Sequence, residues 1–514
     1  MDSTTVTAAR IYKGQLNGNT GEENFLNFEK FPSVALSKTY NTDQQTPDSA
    51  GTATAIMSGI KTKIGIIGLH AGAKHRDCNS SKGTELNTIL DWSHEKGKST
   101  GLVTTSRITH ATPAAAYAHA ASRNWESDRD LPNYVIPGSC KDIAYQLVHD
   151  NSFINVILGG GRNAFQKAGQ IDPETLAANR IGRLDTDLIE DWVSDKLKRG
   201  EEHSYVWNKK QFEDIDATAK DFVLGLFEPS HMQYEQDRNT GPDGEPSLAE
   251  MTRKAIEILQ KNEEGFFLMV EGARIDHGHH RNIAKIALQE TLAFEKAVGE
   301  AMMLTNEEDT LIIVTADHGH VFNMAGYPER GNDILGVTDP NDSLPYTTLL
   351  YGNGPGYDHG TREHLTNNKT ARDEFVQASA VPLASETHGG QDVVIYARGP
   401  MSHLFHGVHE QNYIAHVMAF ASCVGDNKDH CEHINEKSGS ERTAIVSSAQ
   451  SEFDWANAVP LQSETHGGHG MVFYACGPMP YIFIGVHKHN CTAHVMTFAS
   501  CVGENKEHYK RYLC

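Results

Sequence analysis

Phe266-Phe267-Leu268-Met269-Val270-Glu271 is a short apolar run that stops on a carboxylate, and its reading decides the fold. Leu311-Ile312-Ile313-Val314-Thr315 repeats the pattern and stops two positions before Asp317. Val103-Thr104-Thr105 follows a Gly-Lys-Ser-Thr-Gly turn, and Val156-Ile157-Leu158 runs into Gly159-Gly160-Gly161. Apolar runs this short predict strands buried on both faces, and the helical patterns between them predict an α/β domain with a mainly parallel sheet. Such sheets collect ligands beyond the carboxyl ends of their strands. Glu271 and Asp317 stand at those ends.

Working outward, three clusters combine carboxylate with imidazole. They are Asp276-His277-Gly278-His279-His280, Asp317-His318-Gly319-His320 and Glu386-Thr387-His388-Gly389-Gly390. These donors suit divalent zinc and magnesium. The chain has 28 histidines, and most need no ligand role; those grouped with Asp or Glu are the candidates.

The 514 residues leave room for one large domain with additions, and a net charge of -22 argues against a nucleic-acid partner. An anionic substrate therefore needs local positive charge from metal ions or a placed arginine. The eight cysteines form no CxxC pair, which argues against a zinc-thiolate site. Sequons at Asn79, Asn341, Asn368 and Asn490 together point toward the secretory pathway. No signal peptide, apolar span of membrane length or lipid-anchor tail is legible, so the sequence is expected to carry no membrane address.

The C-terminal part repeats itself. His388 and His466 are 78 apart (466 − 388), and at that offset Ala380–His430 and Ala458–His508 share 34 identities in 51 pairs. Two long copies at one end do not make a solenoid, so a local duplication is expected, with a polar linker between the copies.

The order of motifs resembles the animal alkaline phosphatases, from about Thr5 to Cys431. The resemblance rests on Pro47-Asp48-Ser49-Ala50-Gly51-Thr52-Ala53-Thr54-Ala55, His110-Ala111-Thr112-Pro113, Arg123-Asn124-Trp125 and Val270 through His280. The tissue-nonspecific-like branch is the most similar, on Asp48-Ser49-Ala50-Gly51 and Thr112 before Pro113. It implies a three-layer α/β fold with a central, mainly parallel sheet flanked by helices. It implies phosphate monoester hydrolysis through a phosphoserine on Ser49, with Arg123 gripping the non-bridging oxygens.

The same resemblance implies two zinc ions and one magnesium. The first zinc takes Asp276, His280 and His388, with His466 as the alternative histidine; the second takes Asp317, His318 and Ser49. Magnesium takes Thr112 and Glu271. A calcium site is implied at Glu174, the Phe227 carbonyl, Glu228 and Glu245, although an Asp is usual where Glu245 stands. Disulfides Cys78–Cys140 and Cys423–Cys431, a homodimer contacted through Tyr327, and an extracellular or cell-surface location follow in the same way. Gly319 stands where animal members usually have Ser. Any membrane association would run through a lipid anchor that this sequence does not encode.

The expected organisation is a catalytic domain over 1–431 with a small crown-like insertion at about 326–380. A linker at 432–452 and a copy, over 453–514, of about 375–431 follow. Family members open with a strand ending in Asp-Gly-Met-Gly, whose Asp bridges the second zinc and magnesium. That position falls before Met1, and Asp2 comes about four residues too late to replace it, so an N-terminal truncation is expected. A sulfatase would need cysteine at position 49 and a related phosphodiesterase usually threonine. A homologue that binds phosphate without catalysis is the alternative of another class.

Overall fold

A computed structural model describes residues 1–133, 140–339, 342–426 and Cys431. The linker at 432–452, the copy at 453–514 and His466 lie outside the described residues. The expected α/β architecture is present as two sheets covered by helices. Five parallel strands form the first: β2 (Ser99–Arg107), β3 (Val156–Gly160), β4 (His203–Val206), β5 (Phe222–Leu226) and β6 (Phe266–Glu271), in the order β4-β5-β3-β2-β6. The second runs β9-β1-β8-β7, from β1 (Ser33–Lys38), β7 (Ile312–Val314), β8 (Val393–Arg398) and β9 (Gly407–Glu410). There β1 pairs parallel with β9 and antiparallel with β8, which in turn pairs antiparallel with β7.

Burial follows position in the sheet. β3, between two neighbours, is buried at every residue, as an apolar strand covered on both faces should be. β6 was expected to be equally buried, yet all six of its residues are only half-buried. The physical reason is its place at the sheet edge, where one flank has no partner strand among the described residues. β7 ends the other sheet in the same way, with Ile312 and Ile313 half-buried.

Helices α1 (Ser3–Leu16), α2 (Ser49–Ser58), α3 (Leu248–Leu259), α4 (Arg274–His280) and α5 (Ala284–Leu304) place the functional residues. Ser247 and Glu250 close a capping box that starts α3. Asp48 caps α2 by accepting from Gly51 N, and Gly59 ends it at φ 78°, a conformation that costs glycine little. Phe294 on α5 packs against the apolar clusters on both sides, one including Val314 and the other Val270. Both expected disulfides form, with Cα–Cα distances of 5.9 Å for Cys78–Cys140 and 6.1 Å for Cys423–Cys431. Among the described residues, no helix is long and apolar enough to cross a membrane.

Glu290 on α5 is a measurable liability. It is 3 % exposed, accepts a hydrogen bond from Glu235 N, and burial pushes its carboxyl up to about 7. A carboxyl with a raised folded pKa holds its proton better when folded. Stability is therefore lost as pH climbs from the ordinary glutamate value of 4.5 to about 7, and stays lost above. Glu290→Gln keeps the acceptor oxygen and is expected to gain ~3 kcal/mol at pH 8 and almost nothing at pH 4. Denaturant titrations at both pH values check it; an equal change at both would show that ionisation is not the cause.

Candidate active site

The site assembles at the carboxyl ends of β6 and β7 and at the first turn of α2. Ser49 opens α2, so its hydroxyl lies at a helix start, where backbone N–H groups favour an anion. Asp48 fixes that turn. Its Oδ1 accepts from Asn41 Nδ2 at 3.1 Å, and its Oδ2 accepts from Gly65 N at 3.0 Å and pairs with Arg123 at 3.1 Å. Gly51 has to be small, because a Cβ there would stand 2.5 Å from the Asn41 amide. Ser49 and Arg123 are thus tied to one carboxylate although 74 positions (123 − 49) separate them.

Asp276 and His280, one turn apart on α4, meet His388, which sits on a two-residue strand paired to Gly319–His320. Asp276 Oδ2 is 3.3 Å from His280 Nε2, and Asp276 Oδ1 is 3.3 Å from His388 Nε2. His388 Nδ1 donates to the Pro47 carbonyl at 2.8 Å, and His280 Nδ1 donates to the Glu386 carbonyl at 2.6 Å. In its neutral form each imidazole carries its one proton on Nδ1 and leaves Nε2 a lone pair. The two Nε2 atoms stand 3.1 Å apart beside a carboxylate. Two imidazole nitrogens and a carboxylate crowded this closely fit a divalent cation, which would take those lone pairs.

His320 and Glu386 were visible in the sequence clusters but had no assigned role. His320 Nδ1 donates to Glu386 Oε2 at 2.8 Å, and His320 Nε2 lies 3.0 Å from Asp276 Oδ1. Glu386 also accepts from Val321 N at 2.8 Å. Burial works against a charge on His320, but Asp276 and Glu386 outweigh it and push its pKa up to about 9. Burial likewise opposes ionisation of Asp276, and the imidazoles of His320, His388 and His280 overcome it, holding the carboxyl well below its ordinary range. His320 is therefore a buckle for Asp276. His320→Asn is expected to weaken metal binding at the Asp276 site ~10–100-fold, with activity recovering in excess metal. Unchanged affinity in a metal-buffered titration would remove this orienting role.

A second donor group lies alongside. Asp317 Oδ2 is 3.2 Å from His318 Nε2, which is 3.1 Å from Ser49 Oγ. His318 stacks on His388 with ring centroids 3.6 Å apart, joining the two groups. Burial holds the His318 imidazole well below its ordinary pKa, so it stays neutral and able to donate a lone pair.

Glu271 closes the site from the end of β6. Thr104, its register partner on β2, donates to Glu271 Oε2 at 2.5 Å, and Ser106 donates to the same oxygen at 3.2 Å. Burial pushes Glu271 up to about 7, and the Asp317 charge adds to the rise, while Thr104 and Thr112 oppose it. Thr104 and Ser106 escaped the sequence reading because each looks like an ordinary strand residue.

Asp2 is committed elsewhere. Its Oδ1 caps α1 by accepting from Thr4 N and Thr5 N, each at 3.0 Å, and its Oδ2 accepts from Gln391.

Of the calcium candidates, Glu174, Glu228 and Glu245 lie close enough to influence one another's charge. Glu174 pairs with Arg162, and Glu228 and Glu245 both bond Gln233, through its side chain at 2.9 Å and its backbone N at 2.8 Å. Burial, then the Glu228 charge, push Glu245 up to about 8; Glu245 Oε2 is buried with no hydrogen bond among the described residues. An orphaned carboxylate oxygen beside further carboxylates fits a hard cation. Tyr327 is 89 % exposed.

The family described as alkaline phosphatase matches residues 1–424 and 426–502. The chain belongs to the alkaline phosphatase family. It is similar to the tissue-nonspecific alkaline phosphatase of Rattus norvegicus, with 51% identity over 454 residues, covering 87% of this chain and 86% of that one. The Homo sapiens counterpart is 51% identical over 439 residues, covering 84% and 83%. The alkaline phosphatase of Gadus morhua is 47% identical over 435 residues, covering 82% and 90%. The fold also matches the alkaline phosphatase of the Antarctic bacterium TAB5, at TM-score 0.55 and 23% identity over 82% of this chain and 95% of that one. The alkaline phosphatase of Thermus thermophilus matches at TM-score 0.57 and 22% identity, over 82% and 89%. The protein is a phosphatase that hydrolyses phosphate monoesters.

Proposed function

We propose that Ser49 is the nucleophile of this alkaline phosphatase and that the phosphoryl group passes through it before reaching water. The supporting observation is the pair of lone-pair nitrogens, His280 Nε2 and His388 Nε2, 3.1 Å apart beside Asp276 and joined through stacked His318 to Ser49. Two zinc ions, one on Asp276, His280 and His388 and one on Asp317, His318 and Ser49, with magnesium on Glu271 and Thr112, would supply Lewis acidity and charge neutralisation.

The chain's own residues do the rest. The α2 start directs Ser49 Oγ and backbone N–H groups toward the phosphoryl group. Arg123, held by Asp48, offers a planar fork to two non-bridging oxygens. Glu271 and Asp276 are half-buried, which reduces the screening by bulk water of the charges around the reacting phosphorus. The serine ester forms as the alcohol leaves with a proton, and water then attacks the same phosphorus and releases Ser49.

The same reading extends to calcium at Glu174, Phe227, Glu228 and Glu245, a homodimer contacted through exposed Tyr327, glycans at the sequons, and a cell-surface or extracellular location. The catalytic unit is 1–431, with an insertion at 326–380.

Turnover of a chromogenic phosphate monoester at alkaline pH is the test. Activity is expected to fall to background on chelation and to return when zinc and magnesium are both restored. Hydrolysis that survives complete chelation would overturn the metal assignment.

A further inference from the structure

Three histidines from separate elements meet beside this site without sharing a ligand with it. His110 precedes the helical turn Ala111–Ala114, His231 lies in the loop after β5, and His277 is on α4. One ring nitrogen from each lies within 4.8 Å of those from the other two. The rings pack at centroid distances of 5.3 Å (His110–His231), 5.8 Å (His110–His277) and 4.4 Å (His231–His277). No sequence motif announces the group, because its members are 121 (231 − 110) and 46 (277 − 231) positions apart.

We infer that His110, His231 and His277 form an additional binding site for an imidazole-preferring divalent transition metal, with zinc as the probe of choice. Three observations carry it. First, the donor set is three imidazoles with no carboxylate, which suits zinc, copper or nickel and not magnesium or calcium. Second, all three side chains are half-buried, so an ion can reach them from solvent. Third, the polar surroundings are unsettled: His110 Nδ1 is buried with no hydrogen bond among the described residues.

The arginines around the cluster are compatible with a cation because each has somewhere else to go. Arg107 faces His231 Nε2 but is also held by Glu126 through two bonds, at 2.8 and 2.6 Å. Arg123 lies 3.2 Å from His110 Nε2 and keeps Asp48. Arg274 lies 3.0 Å from His277 Nδ1 and stands over the Tyr234 ring at 3.7 Å. A ring nitrogen that accepts from a guanidinium N–H presents its lone pair, and a metal ion can take that lone pair in place of the N–H. When an ion displaces these contacts, Arg107 and Arg123 keep their carboxylates and Arg274 keeps the Tyr234 ring. His277 Nε2 lies 4.0 Å from Asp276 Oδ2, so the two centres are neighbours with separate ligands.

The test is a zinc titration of the full chain whose Asp276 centre is already loaded, counting bound zinc per chain after gel filtration. The wild type is expected to take up one ion more than His231→Asn, or to bind it at least ~10-fold more tightly. Equal uptake by a variant with the wild-type circular dichroism spectrum overturns the inference. A measurement on the wild type alone guards against a variant that does not fold. Zinc is expected to protect His231 from carbethoxylation, read by peptide mass spectrometry, and equal labelling with and without zinc overturns the inference too. Neither result touches the proposed phosphatase mechanism, which is read by chelator-sensitive hydrolysis.

Discussion

Ser49→Ala lowers kcat for a phosphate monoester by on the order of 10³-fold or more, while the protein still folds and takes up its metals. The size follows from what is lost. Ser49 Oγ is the hydroxyl at the start of α2 that reaches His318, and in the proposed mechanism its removal would leave only water to attack phosphorus. The fold should survive, because α2 is capped by Asp48 and alanine suits the first helical turn. Single-turnover kinetics with acid quench, followed by intact-mass measurement, gives the decisive readout. The wild type should show a phosphoryl adduct that the variant lacks, and an adduct of equal yield on the variant would move the nucleophile elsewhere.

His388→Ala is expected to remove one metal ion per chain and to lower kcat/KM by ~10²-fold or more. His388 contributes one of the two lone pairs that face each other, and its Nδ1 bond to Pro47 links the metal ligand to the turn before Ser49. Losing it would remove the proposed ligand and unfasten that turn together. Because the duplicated segment offers His466 in the same Glu-Thr-His-Gly-Gly setting, the outcome also decides between two residues. Zinc content by mass spectrometry alongside activity is the measurement. Full zinc and full activity in His388→Ala would assign the ligand to His466.

The candidate site was legible where its chemistry is local. Asp276 and His280 sit four apart on one helix, and Glu271 ends an apolar run, so spacing and strand ends point to them directly. His320 was legible as part of a cluster but not as the partner that orients Asp276, because that role depends on Glu386, 66 positions away. Thr104 and Ser106 carried no signal at all. Their hydroxyls matter only because β2 lies in register beside β6. The half-burial of β6 was misread for a similar reason: an apolar run reports that a strand is covered, while its place at a sheet edge is fixed by which strands pair with it.

The sequence by itself determined the donor types, the alternation of strands and helices, and the ends of strands at which ligands gather. Those properties are written in neighbouring residues, where side-chain chemistry and backbone periodicity act over a few positions. Tertiary structure alone decided which donors stand together, which ring nitrogen faces a carbonyl, and which way burial and neighbouring charges push each imidazole. Each of these depends on groups brought within a few ångströms from distant parts of the chain, where burial and Coulomb interaction set the balance. The His110–His231–His277 cluster belongs wholly to that second kind, since packing brings together three residues that no local pattern connects.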